Sequence, residues 1–241
     1  MLTDGNNPFI REISLIGEGD FEKLKNAKVA VIGLGGVGSY VVEALARAGV
    51  GHLLLCDNDV IAPHNINRQL FALHSTIGKF KAEVAALRVR DINPTAKVIV
   101  KKERYDAQSA PSFDFSSYDY VVDCIDLVTH KLLLIQVAKQ CGVPVISCMG
   151  TGNKLNASFK VADIFESKIC PLSVIMRKEA RRRNLGNFKV VYSEEVAKKP
   201  LFKDENEVRR QTAASISFVP STAGLLIAGE VIKDIINGKG E

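Results

Sequence analysis

Two stretches carry most of this chain's chemical potential: the glycines of GLGGVG at 33–38 and the polar run DNDVIAPHNINRQ at 57–69. Gly33, Gly35 and Gly38 fit the pattern G-x-G-x-x-G, with Gly36 as an extra glycine. The first glycine permits a tight turn, the second lets a phosphate approach the backbone, and the third lets a helix pack closely on the preceding strand. The N–H groups that open such a helix face an anion, and the helix dipole adds to the attraction. Asp57 follows 19 residues after Gly38, where a carboxylate accepts hydrogen bonds from a ribose hydroxyl. Together these residues predict a phosphate-and-ribose site. They do not separate NAD from ATP.

The second polar cluster does. Pro63 and His64 interrupt the chain, and Asn65, Arg68 and Gln69 then lie on what reads as a short helix near the carboxyl ends of the strands. Arg68 offers a permanent forked cation that suits phosphate oxygens. Lys81 follows in GKFKAE and Asp126 in DCIDL, both at positions that reach the crevice of a doubly wound sheet. Taken singly, each of the three would serve in a surface salt bridge. Two cations and one carboxylate around a phosphate chain suit a triphosphate with Mg²⁺, with Asp126 as the metal-side residue. Hydride transfer requires no such set. The lysine loop G-x-x-x-x-G-K-[ST] is absent, which excludes an ordinary P-loop NTPase. Arg68, Lys81 and Asp126 are the catalytic candidates.

These residues need a frame. The apolar, β-branched run Val29 to Ile32 reads as a buried parallel strand, followed by a helix over 36–48 and a second strand over 52–56. A helix over 79–92, strands over 97–100 and 118–125, a helix over 128–141 and a strand over 143–149 continue the alternation. Strands alternating with helices imply an α/β, Rossmann-like, doubly wound and mostly parallel sheet. Residues 1–25 read as an N-terminal helical arm and 26–150 as the nucleotide-binding core. Residues 151–241 form an appended strand and basic-helix region, integrated with the core as one domain. Within that extension we expect an edge strand over 157–161, a basic helix over 171–184, a strand over 188–192, a mobile loop over 193–211 and a closing helix over 217–237.

The chain's 241 residues allow one α/β domain with an appendage, and 46% hydrophobic with 24% charged residues is an ordinary globular balance. The formal charge of +5 is unevenly spread: residues 167–210 hold twelve Lys/Arg against six Asp/Glu, so the rest is about −1. Such a segment fits either a solvated face or a polyanion partner. Five cysteines at irregular spacing, with no CxxC, argue for a reducing compartment and against a disulfide framework or a structural zinc. MLTDGNNPFI has neither the basic nor the apolar region of a signal peptide. The apolar run 216–236 holds Glu230, Lys233 and Asp234, which favours a buried or interfacial helix over a membrane span. A cytoplasmic location is expected.

The runs GLGGVGSYVVEALARAGVG, LLCDNDVIAPHNINRQ, GKFKAE and DCID resemble the adenylating superfamily of ubiquitin-activating enzymes and molybdopterin-synthase adenylyltransferase, over essentially the whole chain. The resemblance implies ATP and Mg²⁺, with attack of a substrate carboxylate on the α-phosphate. It assigns the ribose to Asp57, phosphates to Asn65 and Arg68, the triphosphate to Lys81 and Mg²⁺ to Asp126. Arg11, in FIREISLIG, matches the superfamily's N-terminal arginine, which reaches the ATP of the other protomer and so implies a homodimer. The superfamily usually has a small polar residue after its last aspartate; Leu127 stands there in this chain.

The zinc pairs common among activators of protein C-termini are missing. Cys170 is the one cysteine between Gly152 and Ser217, and it reads as a packing residue at a helix start. KICPLSVIMRKEARRRNL, FKVVYSEE and SISFVPSTAGLLIAGEVIKD resemble the tRNA threonylcarbamoyladenosine dehydratase branch, although that branch more often has Asp where Cys170 stands. This implies adenylation of the free carboxylate of a threonylcarbamoyl group on an anticodon-loop adenosine. Attack by the neighbouring carbamoyl group then expels AMP, for a net loss of water. Arg177, Lys178, Arg181, Arg182 and Arg183 would give the tRNA a cationic surface, with Arg177 and Arg181 on one helix face. Three other readings compete: an adenylyltransferase for the C-terminus of a ubiquitin-like or sulfur-carrier protein, an NAD-dependent oxidoreductase, and a non-catalytic nucleotide-binding regulator. A sulfur-relay or carrier partner stays open.

Overall fold

A computed structural model describes residues 6–201 and 213–238. Seven strands, β1 (Lys28–Ile32), β2 (His52–Cys56), β3 (Lys97–Lys101), β4 (Tyr120–Asp123), β5 (Val145–Cys148), β6 (Lys160–Asp163) and β7 (Lys189–Tyr192), form one sheet. Its order is β3-β2-β1-β4-β5-β7-β6. All neighbouring pairs are parallel except β6, which runs antiparallel to β7 at the edge. The expected α/β doubly wound sheet is therefore present, and the strand order reverses between β1 and β4. A ligand crevice opens at such a reversal, outside the carboxyl ends of the strands.

The inner strands are buried on both faces, as crossovers require, while the edge strands β3 and β6 are only partly buried. Val29 and Val31 of β1 point into one core with Leu53 and Leu55 of β2, while Ala30, Ile32, Leu54 and Cys56 point into the other. The first core is covered by α3 (Gly38–Arg47), α4 (Lys81–Ile92) and α7 (Phe218–Ile236). The second is covered by α5 (Val128–Gln140) and α6 (Pro171–Arg182). The helical arm is α1 (Ile10–Ile16) and α2 (Glu18–Asn26). Phe21 and Leu24 anchor it: both are buried, and Leu24 accepts the N–H of Gly51 at 3.2 Å. The closing helix α7 lies across α3 and α2, so the extension is built into the same body as the core. Among the described residues no helix is long and apolar enough to cross a membrane.

Several boundaries differ from the sequence expectations for local reasons. The edge strand begins at Lys160 rather than 157 because the chain before it is captured: Glu195 accepts the N–H groups of Leu155 and Asn156 at 3.0 and 2.8 Å. The short helix expected from Asn65 is a 3₁₀ turn at Pro63–Asn65 followed by further turns. It cannot propagate, because the Leu70 N–H donates to Ser39 Oγ at 3.2 Å instead of continuing a helical ladder. Helix α4 starts at Lys81, after Phe80 forms an extended bridge to Val60. Of the mobile loop expected over 193–211, residues 202–211 lie outside the described residues.

Helices α3 and α4 are joined by Glu43, whose carboxylate takes Arg88 at 2.8 Å and Arg47 at 2.7 Å. Burial pushes this carboxyl up, but hydrogen bonds and charges from the two arginines outweigh it and hold it below the usual range. A group depressed on folding adds stability above its unfolded pKa, and that stability is lost as the pH falls through the folded value. Glu43→Gln should therefore lower the melting temperature at neutral pH. The gap to the parent should close as the pH falls below the 4.5 of a free Glu. Melting curves across that range check this.

Candidate functional site: a nucleotide crevice at the strand reversal

The glycine turn joins β1 to α3 and cannot be built from other residues. Gly33 sits at φ +91°, and a Cβ there would lie 2.7 Å from the Cys124 carbonyl oxygen. A Cβ on Gly38 would lie 1.8 Å from the carbonyl oxygen of Gly33. The turn is thus clamped between β4's exit and the first turn of α3. The N–H groups of Gly35, Gly36 and Val37 donate no hydrogen bond among the described residues, which leaves a bare donor edge of the kind a phosphate occupies. This backbone cradle fits a nucleotide phosphate.

Asp57 lies at the tip of β2. Its carboxylate accepts the Leu34 N–H at 2.7 Å and the Asp59 N–H at 2.8 Å, which fixes its position beside the turn. Burial pushes the Asp57 carboxyl up, against the pull of Lys81 and of those two N–H groups. Lys81 is itself buried, and its Nζ lies 2.7 Å from Asp59 Oδ2. Arg68 approaches the turn from the other side, its Cγ 3.4 Å from a Cβ built on Gly36, while Gln69 Nε2 comes to 3.9 Å of one built on Gly35. The Arg68 guanidinium is held by the His64 carbonyl at 2.8 Å and by Asn67 Oδ1 at 2.9 Å. Asn65 is buried, and its Oδ1 accepts the Ala62 N–H at 3.0 Å. One chain therefore brings together the glycines, Asp57, Asn65, Arg68, Gln69 and Lys81.

Asp126 follows β4 and is exposed, with no hydrogen bond or ion pair among the described residues. Among the described residues no group of three or more His, Cys, Asp or Glu could hold a metal, but Mg²⁺ is commonly held by one or two carboxylates together with substrate phosphates. Arg11 stands exposed on α1, without a hydrogen bond or ion pair among the described residues and outside this cluster.

Under the Asp126 loop lies a set that the sequence reading did not single out. Asp123 and Lys131 form an ion pair at 2.8 Å with both side chains fully buried. Asp123 also accepts Ser147 Oγ at 2.5 Å and the Ile125 N–H at 3.0 Å, while Lys131 Nζ donates to the Ile125 carbonyl at 2.9 Å. Ile125, the residue before Asp126, is thus tied to the core from both its N–H and its C=O side. A lysine on the apolar face of α5, in line with Ile135 and Ala138, was the available signal. Asp59 was also missed, and only the fold reveals it as the partner of Lys81.

The basic helix is less free than its composition suggests. Arg177 turns inward and donates to the Ser167 carbonyl and, at 2.9 Å, to Ser167 Oγ. Arg181 sits 5.1 Å from the Phe165 ring centroid, so these two do share a face. Arg182 and Arg183 share Glu179 at 2.6 and 3.6 Å. Lys178 is exposed and unpaired among the described residues. The thiols offer little chemistry: burial pushes Cys56 and Cys148 up to about 12, and Cys170 is buried at the start of α6.

Residues 9–241 match the ThiF family, and the chain belongs to that family. A Bacillus subtilis relative named tRNA threonylcarbamoyladenosine dehydratase is 37% identical over 239 residues, covering 95% of this chain and 94% of its own length. A relative of the same name from Haemophilus influenzae is 41% identical over 161 residues, covering 66% of this chain and 62% of its own. The crystal structure of E. coli tRNA N6-threonylcarbamoyladenosine dehydratase, TcdA, in complex with ATP aligns at a TM-score of 0.87 and 29% identity, covering 98% of this chain and 97% of its own. The chain thus sits in the branch of the family whose curated members carry that name.

Lys131→Met should destabilise the protein by about 3–5 kcal/mol, because it leaves the Asp123 carboxylate buried without its cation. Urea unfolding measures the loss.

Proposed function

We propose that this chain is an ATP-dependent enzyme that adenylates the carboxylate of threonylcarbamoyladenosine in a tRNA anticodon loop and cyclises it with net loss of water. One observation carries the reading: Arg68 and Gln69 abut the glycine turn, with Lys81 beside Asp57, in a chain that matches a dehydratase of that name over nearly its whole length. ATP is the second substrate. An oxygen of the substrate carboxylate attacks the α-phosphorus, and the bond to pyrophosphate breaks. The carbamoyl group of the same nucleoside then attacks the activated carbonyl, and AMP leaves with the carboxylate oxygen. The acceptor lies within the substrate, so no protein thiol is needed, in keeping with the buried cysteines. Intramolecular attack gains up to about 7–11 kcal/mol from proximity.

In this reading Gly33, Gly35, Gly36 and Gly38 cradle phosphate, and Asp57 holds the ribose. Asn65, Arg68 and Gln69 bind the phosphate chain. Lys81 exchanges Asp59 for the triphosphate. Asp126 would hold Mg²⁺, which when bound would supply neutralisation of phosphate charge. Arg11 completes the site of a second protomer in a homodimer, in keeping with its lack of a partner among the described residues. Helix α6 positions the tRNA through phosphate contacts. Residues 1–25, 26–150 and 151–241 act as arm, core and extension of one domain, in the cytoplasm.

The test is AMP and pyrophosphate release from ATP with tRNA carrying the threonylcarbamoyl group, with unmodified tRNA, and with neither. Stoichiometric AMP with modified tRNA alone, beside loss of one water mass from the nucleoside, is expected. AMP release dependent on a carrier-protein carboxylate instead would overturn the reading in favour of a protein adenylyltransferase. Asp126→Ala should lower turnover by about 10²-fold, as loss of a group that stabilises developing charge does. Its stability should stay within about 0.5 kcal/mol of the parent, as for an exposed site. Full activity of that variant would exclude Asp126 from the site.

A further inference from the structure

At the sheet's far edge, β6, the end of β7, the 3₁₀ turn Ile164–Glu166 and α6 enclose an open cavity of about 610 Å³. The nucleotide roles assigned above do not use it. We propose that this cavity is a subsite for one unstacked nucleotide of the RNA substrate, its base against Phe165 and its phosphate against Lys168 and Arg177. The inference rests on the tRNA reading and names a second place where that RNA is gripped.

The cavity lies within the range of pockets that take a small molecule or a single nucleotide, about 300–1,000 Å³. Its lining combines one aromatic ring with cations and acceptors. Phe165 is half-buried, and Arg181 over its ring holds it in place. Single-stranded RNA is recognised mainly by stacking unstacked bases on aromatic rings, with cations along the backbone. The Lys168 side chain is exposed, and its ammonium makes no hydrogen bond or ion pair among the described residues. Arg177 spends one nitrogen of its fork on Ser167 and keeps further donors for a phosphate oxygen. Glu194 takes Lys160 at 2.5 Å and also feels the charge of Lys168, but the lining's three cations, Lys160, Lys168 and Arg177, outnumber its two carboxylates, Glu166 and Glu194. Glu166 is exposed on the same lining and can accept from an exocyclic amine of a base.

The chain around Lys168 is held in an unusual shape. Ile169, a β-branched residue, adopts φ +63°, and the Cys170 N–H turns back to the Lys168 carbonyl at 2.6 Å. Such a conformation persists only where its surroundings enforce it. Here Arg177 fixes the turn from below and the buried Cys170 fixes it from behind. The preorganised loop therefore sets the exposed Lys168 beside the cavity.

Its position also suits the chemistry. Lys160 pairs with Tyr192 at the carboxyl end of β7, the end of the sheet where Asp57 and Asp126 stand, and Asp163 pairs with Lys189 at the other end, so the cavity opens on the crevice side and runs along the edge strand toward Phe165. From β4 to β6 is three strand spacings, roughly 15 Å. A single-stranded loop that crosses the carboxyl ends of the strands and follows the sheet's edge can therefore present one nucleotide to the crevice and another to the cavity.

The experiment compares Phe165→Leu, Phe165→Trp and Lys168→Glu with the parent in the AMP-release assay. It reads KM for modified tRNA and KM for ATP separately, at several salt concentrations. Phe165→Leu should raise the tRNA KM roughly 5- to 150-fold, the range for losing one stacked base, with the ATP KM unchanged. Phe165→Trp should restore it, which a merely structural role for the ring would not produce. Lys168→Glu, at an exposed position, should weaken tRNA use and reduce the salt slope by about 1. If Phe165→Leu and Lys168→Glu both keep the parental tRNA KM and salt slope, the cavity proposal is overturned and the tRNA reading stands. A parent protein that makes no tRNA-dependent AMP overturns both.

Discussion

The Asp123–Lys131 pair fixes the point on which the crevice turns. Two opposite charges with no exposure to solvent are costly to bury, and they persist only when geometry and further hydrogen bonds satisfy them. Here Ser147 Oγ and the Ile125 N–H complete the carboxylate, and the Ile125 carbonyl takes a second donor from the ammonium. The network joins β4, β5, α5 and the Asp126 loop in one place. It also sets the backbone at Cys124, whose carbonyl oxygen is what closes the space around Gly33. The glycine turn and the Asp126 loop are therefore two sides of one fitted contact.

The crevice itself combines fixed and exchangeable parts. Asp57 is fixed by two backbone donors, and Arg68 is braced by the His64 carbonyl and Asn67. Lys81 is different: its ammonium is buried, but its partner Asp59 is 56% exposed and can be released to water. A buried cation with a dispensable counter-ion suits a site that must receive a polyanion. The pair keeps Lys81 satisfied, and in the proposed function its charge becomes available when phosphate oxygens replace the carboxylate.

The sheet was legible in the residues because the inner parallel strands are buried on both faces and read as apolar runs. The glycine turn was legible because steric constraint fixes residue type: only glycine fits at 33 and 38. Arg68, Gln69 and Lys81 stand against or beside the turn as their spacing suggested, because the crossovers return each of them to the same end of the sheet. What stayed hidden were partnerships between distant segments. The spacing of Lys131 from Asp126 shows nothing of Asp123 beneath it, and Asp59 has no local feature that couples it to Lys81. The charge of α6 overstated its freedom for the same reason, since Glu179 and Ser167 absorb part of it. The late start of β6 depends on Glu195, about 40 residues away along the chain. The branch within the superfamily came from resemblance rather than from spacing.

The sheet has two free margins, β3 and β6. An open margin is a template on which another chain can add a strand, and the outcome is uncontrolled polymer growth. Both margins carry charge: Lys97 and Lys101 bracket β3, and Lys160 and Asp163 bracket β6. A docking strand would have to strip water from these ends, and on β3 it would meet two like charges. The exposed Ile99 between the β3 lysines is thereby shielded as a nucleus for fibre formation.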